Sequence, residues 1–393
     1  MVLTREENDV LTRVGPGTPG GELLRRYWMP VAIAAELTPE QPTKLVRLLG
    51  ELLVLFRDRT GRVGLLADRC AHRSASLFYG RVEERGISCA YHGWLYDTEG
   101  HILETPPERN DAIINSVTQP AYPVRKYVGM YWAYLGPEPA PELPPYDTLV
   151  RRDGRRQIVV HPVLDCNWYQ AMENSVDPAH LQILHQEYIG RGRQPVNTTR
   201  GFTDDVADTD FYVTPIGIMK KRTYKTGQVD EHPLIFPNIL RQGYSTQIRV
   251  PLDDTHTAHF HVMFEPNPDG SLIDEAEDPP VEYLAPYKNP PDRVHPDTVY
   301  NLRSVLAQDH MAWETQGPIA DRTVEHLSYS DRGIHLFRTV TREQIDRVKR
   351  GLDPMGVIRD PNHPMLDTNI DESTKVESNG ARPVGIGAAT PAD

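Results

Sequence analysis

The chain has 393 residues, room for two or three domains at about 150 residues each, and 39% of them are hydrophobic, enough to bury a sizeable core. A formal charge of −13 and a pI near 5.6 argue against a nucleic-acid partner, which needs clustered Lys and Arg. Three cysteines provide no disulfide framework, no apolar run reaches the ~18 residues of a membrane span, and the start MVLTREEND lacks signal-peptide character, so a cytoplasmic protein is expected.

In chain order, Gly15, Gly17 and Gly20 spell GxGxxG, but no apolar strand precedes them, and Pro16 and Pro19 stiffen the loop where backbone amides would face a pyrophosphate. The better reading is Thr18 capping a short helix through Leu23, Leu24 and Tyr27, with Pro19 in its first turn. With no nicotinamide or flavin fingerprint, electrons for any redox chemistry are expected from another protein. From about Lys44 to Leu66 the runs LVRLL, LLVLF and VGLLA, broken by Gly50-Glu51 and by the Asp58–Gly61 turn, predict an antiparallel meander.

The stretch CAHRSASLFYGRVEERGISCAYHGW, Cys70 to Trp94, follows. It holds Cys70 with His72 and Cys89 with His92, the pairs separated by sixteen residues. Tetrahedral zinc accepts two Cys and two His, but zinc fingers keep cysteines in one knuckle and histidines on one helix. Here each knuckle is mixed, which suits a [2Fe-2S] cluster with two thiolates on one iron and two imidazoles on the other. The stretch resembles the Rieske cluster motif, and Arg73, Tyr91, Gly93, Trp94 and Asp97 agree with it. After it, ISCAY, WLYD and HILET predict further strands, so both knuckles sit at strand ends. A proline-rich segment places a boundary near Ala140.

The second constellation is NWYQAMENSVDPAHLQILHQEY, from Asn167. Asp177 and His180, three apart, fall on one side of a helix. His180 and His185, five apart, fall roughly 140° apart on a straight helix, so they share an ion only if the helix is distorted or ends between them. Alternatively Asp177 is an N-cap and both histidines are packing or surface residues. Together with the upstream motif, the string, with Glu173-Asn174 ahead of Asp177 and His-x4-His, resembles the catalytic domain of the Rieske non-haem iron oxygenases, in the phthalate dioxygenase and O-demethylase branch. The likeness runs from GELLRRYW to about Arg350.

The β-rich runs FYVTPIGIM, TQIRVPL and HTAHFHVMF alternating with these helices predict an α+β protein; with the resemblance this gives an all-β Rieske domain over residues 1–140 with an N-terminal helical segment and a catalytic domain over 141–355 whose antiparallel sheet and helices carry a mononuclear iron, while 356–393, which lacks periodicity, reads as a mobile tail. Oxygen activation by two His and one carboxylate needs a third ligand, and Asp309 is the candidate, with Glu314 and Asp321 as rivals. His232, His256, His259 and His261 read as strand or turn residues, EHPLIFPNILRQGYSTQIRV as pocket lining, and Glu275 to Pro296 as an acidic loop. The resemblance further implies Cys70, His72, Cys89 and His92 as cluster ligands, His180, His185 and Asp309 on Fe(II), O₂ as co-substrate, and a separate reductase or ferredoxin as donor. Asp177 would bridge His180 and a neighbouring subunit's His92 in a homotrimer, with Asn174 near the iron. The expected activity is hydroxylation or O-demethylation of a carboxylated or methoxylated aromatic compound. The alternatives are a cis-dihydroxylating ring dioxygenase, a Rieske carrier fused to a non-catalytic binding domain, and a zinc-stabilised interaction protein.

Overall fold

A computed structural model describes residues 2–185, 206–273, 278–290 and 297–368. They form two units, one of Arg25–Leu143 and one that joins Met1–Leu24 to the chain from Pro144 onward. The helical segment expected within the N-terminal β domain therefore belongs to the second unit. The reason is its packing: α1 (Arg5–Thr12) and α2 (Pro19–Leu24) lie against each other and against helices of that unit. α1 starts with a reciprocal cap between Thr4 and Glu7, and α2 with Thr18, whose hydroxyl accepts the Gly21 N–H at 3.1 Å. α2 stops at Leu24, a turn short of Tyr27.

The first unit is built of short antiparallel strands. β1 (Met29–Ile33) is followed by β2 (Thr43–Leu48), β3 (Glu51–Arg57) and β4 (Val63–Ala67), and these last three form the expected meander. Leu49 and Gly50, at φ 50° and 78°, join β2 to β3 through a two-residue turn, whose mirror-image geometry needs positive φ at both positions. Asp58 shapes the next turn by accepting the N–H groups of Thr60 and Arg62, both at 2.9 Å. β5 (Arg81–Glu83), β6 (Gly86–Ser88), β7 (Leu95–Tyr96) and β8 (Ile102–Glu104) form a second sheet; in a third, β10 (Met130–Ala133) lies between β1 and β9 (Val124–Tyr127) and pairs with both. Phe56, Leu66, Leu77, Ile87, Trp94 and Tyr96 make one buried core that also takes in Cys70 and Cys89.

In the second unit, after the one-turn α3 (Asp147–Val150), β11 (Gly154–Val160) leads into α4 (Trp168–Ser175) and α5 (Ala179–Ile183). Then come β12 (Val206–Thr214), β13 (Gly217–Tyr224), β14 (Val229–Ile235), β15 (Ile239–Gln242), β16 (Ser245–Pro251), β17 (Thr257–Pro266) and β18 (Val281–Tyr283). These make an eight-stranded sheet in the order β12-β13-β14-β15-β16-β17-β11-β18, antiparallel except for β11 with β18. β19 (Lys288–Asn289) and β20 (Val299–Tyr300) pair ahead of α6 (Val305–Glu314) and α7 (Arg332–Lys349). This is the expected α+β arrangement. No helix among the described residues is long and apolar enough to cross a membrane.

Two expectations change. The acidic stretch from Glu275 to Pro296 contains β18 and β19, because the backbone at Val281–Tyr283 adds an edge strand to β11; its remaining parts, 275–277 and 291–296, lie outside the described residues. The tail does not begin at 356. Leu366 bridges to Tyr146, and fully buried Thr368 donates from its backbone and its hydroxyl to Asp147, which also takes Arg241 at 2.8 Å. The remainder of the expected tail, 369–393, lies outside the described residues.

Candidate metal centres

The two Cys-x-His and Cys-x-x-His knuckles occupy the loop after β4 and the loop between β6 and β7. Each is closed by its own backbone: Ser74 N–H donates to Cys70 O and Cys70 N–H to Ala75 O, while Gly93 N–H donates to Cys89 O and Cys89 N–H to Trp94 O. Ser74 and Gly93 take positive φ to make these turns. Gln119 fixes the first loop from outside, donating to Ala67 O and Arg69 O and accepting the Ala71 N–H. The His72 and His92 rings meet edge to face at 4.6 Å, and Trp94 stacks on His72 at 4.5 Å.

Burial is unequal within this group. Cys70 and Cys89 are buried free thiols beside each other, and Tyr96 Oη lies 3.1 Å from Cys70 Sγ. Burial, with the adjoining Cys70 thiol, pushes the Cys89 thiol above its usual value. Two such thiols ionise together only with positive charge between them, which a metal cluster supplies. His72 and His92 are half-buried, so the donor set runs from sulfur inside to imidazole at the surface. Thiolates on one side and imidazoles on the other fit the two unlike irons of a Rieske cluster.

The second donor set depends on a helix that stops. α4 ends at Ser175, Pro178 has no N–H to continue it, and α5 runs only from Ala179 to Ile183. His180 thus lies in the first turn of α5 and His185 beyond its end, the break that their five-residue spacing demands. Ser304 caps α6 by accepting the Ala307 N–H at 3.1 Å, and α6 presents Asp309. Asp309 Oδ1 lies 3.3 Å from His185 Nε2 and 3.6 Å from His180 Nε2. Ligand atoms that share one ion at bond lengths near 2.1 Å sit about 3 Å apart, so the three fit a single metal.

The far side of each ring is fixed as well. His185 Nδ1 meets Gln308 Oε1 at 2.7 Å, and His180 Nδ1 lies 3.4 Å from Asp177 Oδ2. The acceptor on His185 Nδ1 keeps the proton there and leaves the Nε2 lone pair facing Asp309, while the Asp177 carboxylate acts on His180 Nδ1 by charge, without a hydrogen bond. Asp177 accepts the Ala179 N–H at 2.8 Å; burial opposes its ionisation, but the nearby His180 ring and this bond hold its carboxyl below the usual range. Asn174 Nδ2 reaches Asp309 Oδ1 at 3.5 Å. Glu173, its neighbour, turns the other way and binds the guanidiniums of Arg322 and Arg338, which anchors α4.

The rival carboxylates are engaged elsewhere. Glu314 accepts from Lys288 Nζ and Tyr300 Oη, each at 2.6 Å, and Asp321 makes a surface turn with Thr323. Among the histidines read as strand or turn residues, His232 pairs with Arg222 and Asp230, and His256 lies in the turn of Asp253. His259 and His261 are on β17, but they belong to a group that the sequence reading missed, in which His259, His161 and His310 are buried and His261 is half-buried. Burial, with Arg249 adding its charge, lowers His161 to about 3 and His261 to about 4, so both are neutral. The alternation HTAHFHV placed His259 and His261 on one face. Nothing local linked them to His161 or to His310, the residue after Asp309.

Residues 27–127 match the Rieske [2Fe-2S] domain family. Across 92% of its length the chain is 38% identical to the oxygenase subunit of 5,5'-dehydrodivanillate O-demethylase from a Sphingobium species, covering 84% of that protein. It is 32% identical to the oxygenase subunit of phthalate 4,5-dioxygenase from Pseudomonas putida, over 90% of this chain and 89% of the relative. The oxygenase of carbazole 1,9a-dioxygenase, solved in complex with its ferredoxin, shares the fold with a TM-score of 0.58 at 21% identity, over 86% of this chain and 93% of that one. The mixed Cys/His knuckles, the two-histidine, one-carboxylate group and these relatives lead to one conclusion: the chain belongs to the Rieske non-haem iron oxygenases, as an oxygenase subunit of the phthalate dioxygenase and O-demethylase branch.

Proposed function

We propose that this subunit, with O₂ and electrons from a separate reductase or ferredoxin, hydroxylates or O-demethylates an aromatic compound bearing a carboxylate or methoxy group. The observation that carries the proposal is the meeting of His180, His185 and Asp309 in a chain that also holds the Cys70, His72, Cys89 and His92 set. When bound, the cluster supplies single electrons and the mononuclear iron a place to activate O₂. The protein's own part is positional. Gln308 and Asp177 set the tautomers of His185 and His180, Asn174 steadies Asp309, and the half-buried rim at His72 and His92 gives electrons a short way in from a docked donor. The relatives support the substrate class, since their names specify dehydrodivanillate and phthalate.

The finer reading is a cytoplasmic homotrimer in which Asp177 of one copy approaches His92 of the next. A heterologous contact that closes into a ring meets that geometry, and neither His92 nor Asp177 is fully buried. A carrier without a catalytic iron would hold about two irons per chain, the oxygenase about three. Iron analysis with electron paramagnetic resonance of the reduced protein, followed by ¹⁸O₂ incorporation across a panel of methoxylated and carboxylated aromatics, tests the proposal. Two irons per chain, or no labelled product or formaldehyde from any compound, would sink it.

A further inference from the structure

The central strands of the large sheet carry a row of side chains that the metal ligands do not use. Arg249 on β16 is paired with His259 on β17, and His161 N–H, just past β11, donates to His259 O. Directly opposed residues of antiparallel strands share a face, so Arg249, His259 and His161 stand side by side on three adjacent strands. The two imidazoles stack at 4.3 Å with 17° between their planes. α6 covers them: His310 Nε2 is 3.3 Å from His259 Nδ1, and the Arg249 guanidinium lies 5.0 Å over the Trp313 ring. The same helix presents Asp309 one residue before His310, so the row adjoins the two-histidine, one-carboxylate group.

Three buried atoms of the row, Arg249 Nε, His161 Nε2 and His259 Nε2, have no hydrogen-bond partner among the described residues. Arg249 is fully buried, yet its terminal nitrogens bond neutral groups, Gln247 Oε1 at 3.0 Å and Ser175 Oγ, with Met172 Sδ at 3.7 Å. No carboxylate bonds it among the described residues. Tyr287 Oη, 3.3 Å from His161 Nδ1, and His310 occupy the Nδ1 positions of the two stacked rings, leaving each Nε2 as the open edge. Buried polar atoms are seldom left unpaired, and a buried guanidinium is seldom left without an anion. Asp309 acts on Arg249 by charge across a distance and makes no hydrogen bond to it, so what the row lacks is an oxyanion in direct contact.

We infer that this row binds a carboxylate of the aromatic substrate, with Arg249 as its counter-charge and the Nε2–H groups of His161 and His259 as hydrogen-bond donors. The inference rests on the proposed oxygenation of an aromatic compound and narrows it to aromatic acids, held by the carboxylate so that the ring projects toward Asp309. A metal ion is the other candidate, because ring nitrogens of His161, His259 and His310 lie within 4.8 Å of one another. Charge opposes it: a divalent cation would add to the positive charge of Arg249 and bring no anion to it.

The test is binding to the holoprotein, read by calorimetry or Trp fluorescence, with benzoate, 4-methoxybenzoate and phthalate set against their methyl esters. At least one acid should bind about 30-fold more tightly than its ester, the loss expected when a buried charged pair is broken. Arg249→Gln should abolish that preference and Arg249→Lys should retain part of it, each with full cluster and mononuclear iron content. Esters that bind as tightly as their acids, or no binding by any acid, would overturn the assignment without recourse to a variant. A further equivalent of tightly bound metal that disappears in His259→Phe would overturn it in favour of a cation site. Acid-selective binding without turnover of any acid would leave the anchor standing and count against the oxygenase proposal, so the two fail separately.

Discussion

The two donor sets are assembled in opposite ways. Cys70, His72, Cys89 and His92 come from one stretch, on two loops closed by hydrogen bonds between near neighbours and held by a small buried core. His180, His185 and Asp309 come from two distant segments; the bond from Asn174 to Asp309 spans 135 residues and that from His185 to Gln308 spans 123. A local set needs only its loops to fold. A distributed set needs α4, the break at Pro178 and the docking of α6 to be right at once, so it is more easily damaged from a distance.

The largest expected effects break the two sets apart. His180→Ala should remove the mononuclear iron and all turnover while the visible spectrum of the cluster persists; Cys89→Ser should bleach that spectrum and leave the mononuclear iron bound. Metal analysis beside the absorption spectrum reads both. Loss of both centres in either variant would contradict their independence. Next comes Asp177→Asn, which keeps a group of the same shape beside His180 but removes its charge. Both metal contents should stay at the parental level while turnover falls about 100-fold, the scale for groups that orient a metal-ligating histidine. Parental turnover would remove Asp177 from the electron path.

The contrast explains what the sequence disclosed. The cluster stretch was readable because its Cys and His residues and their glycine and aromatic neighbours are contiguous, and the strands around it are short apolar runs broken by turn residues. The five-residue gap from His180 to His185 even stated its own condition, a helix that ends between them, which the end of α5 at Ile183 supplies. Asp309 could be named only through family likeness, since an Asp on a helix carries no local mark of a ligand. Gln308, Arg249, His161 and His310 went unread because their meaning lies in strand register and helix docking. The cap at Thr4 and Glu7 was legible and was passed over, and so α1 was not anticipated.

Glu173 tests the distributed set from behind. Its buried carboxylate takes both Arg322 and Arg338, and although burial opposes ionisation, the two guanidiniums hold its carboxyl below the usual range. Glu173→Gln should cost about 3–5 kcal/mol in unfolding free energy, because it leaves charge without a partner in the interior. Arg338 keeps Glu325, so the loss falls mainly on Arg322. A depressed carboxyl contributes its full stability above the unfolded value of about 4.3 and loses it as pH falls through the lower folded value. Chemical denaturation at pH 7 and at pH 4 should therefore both show the deficit. An unchanged midpoint would mean that α4 is anchored by its apolar face alone.

The smallest effect expected is at Gln308. Its Oε1 fixes His185 Nδ1 at 2.7 Å, and its Nε2 donates to Leu302 O at 3.3 Å, so the amide cannot flip without losing both bonds. Gln308→Ala leaves His185, His180 and Asp309 in place but frees the His185 ring to turn or change tautomer. Iron affinity should fall about ten-fold, read by competition with a chelator, while the cluster spectrum is untouched. Gln308→Glu sharpens the point: it restores an acceptor with a full charge and should recover or exceed parental affinity. If the alanine variant binds iron as tightly as the parent, the ring is held by packing, and the distributed site is stiffer than its hydrogen bonds suggest.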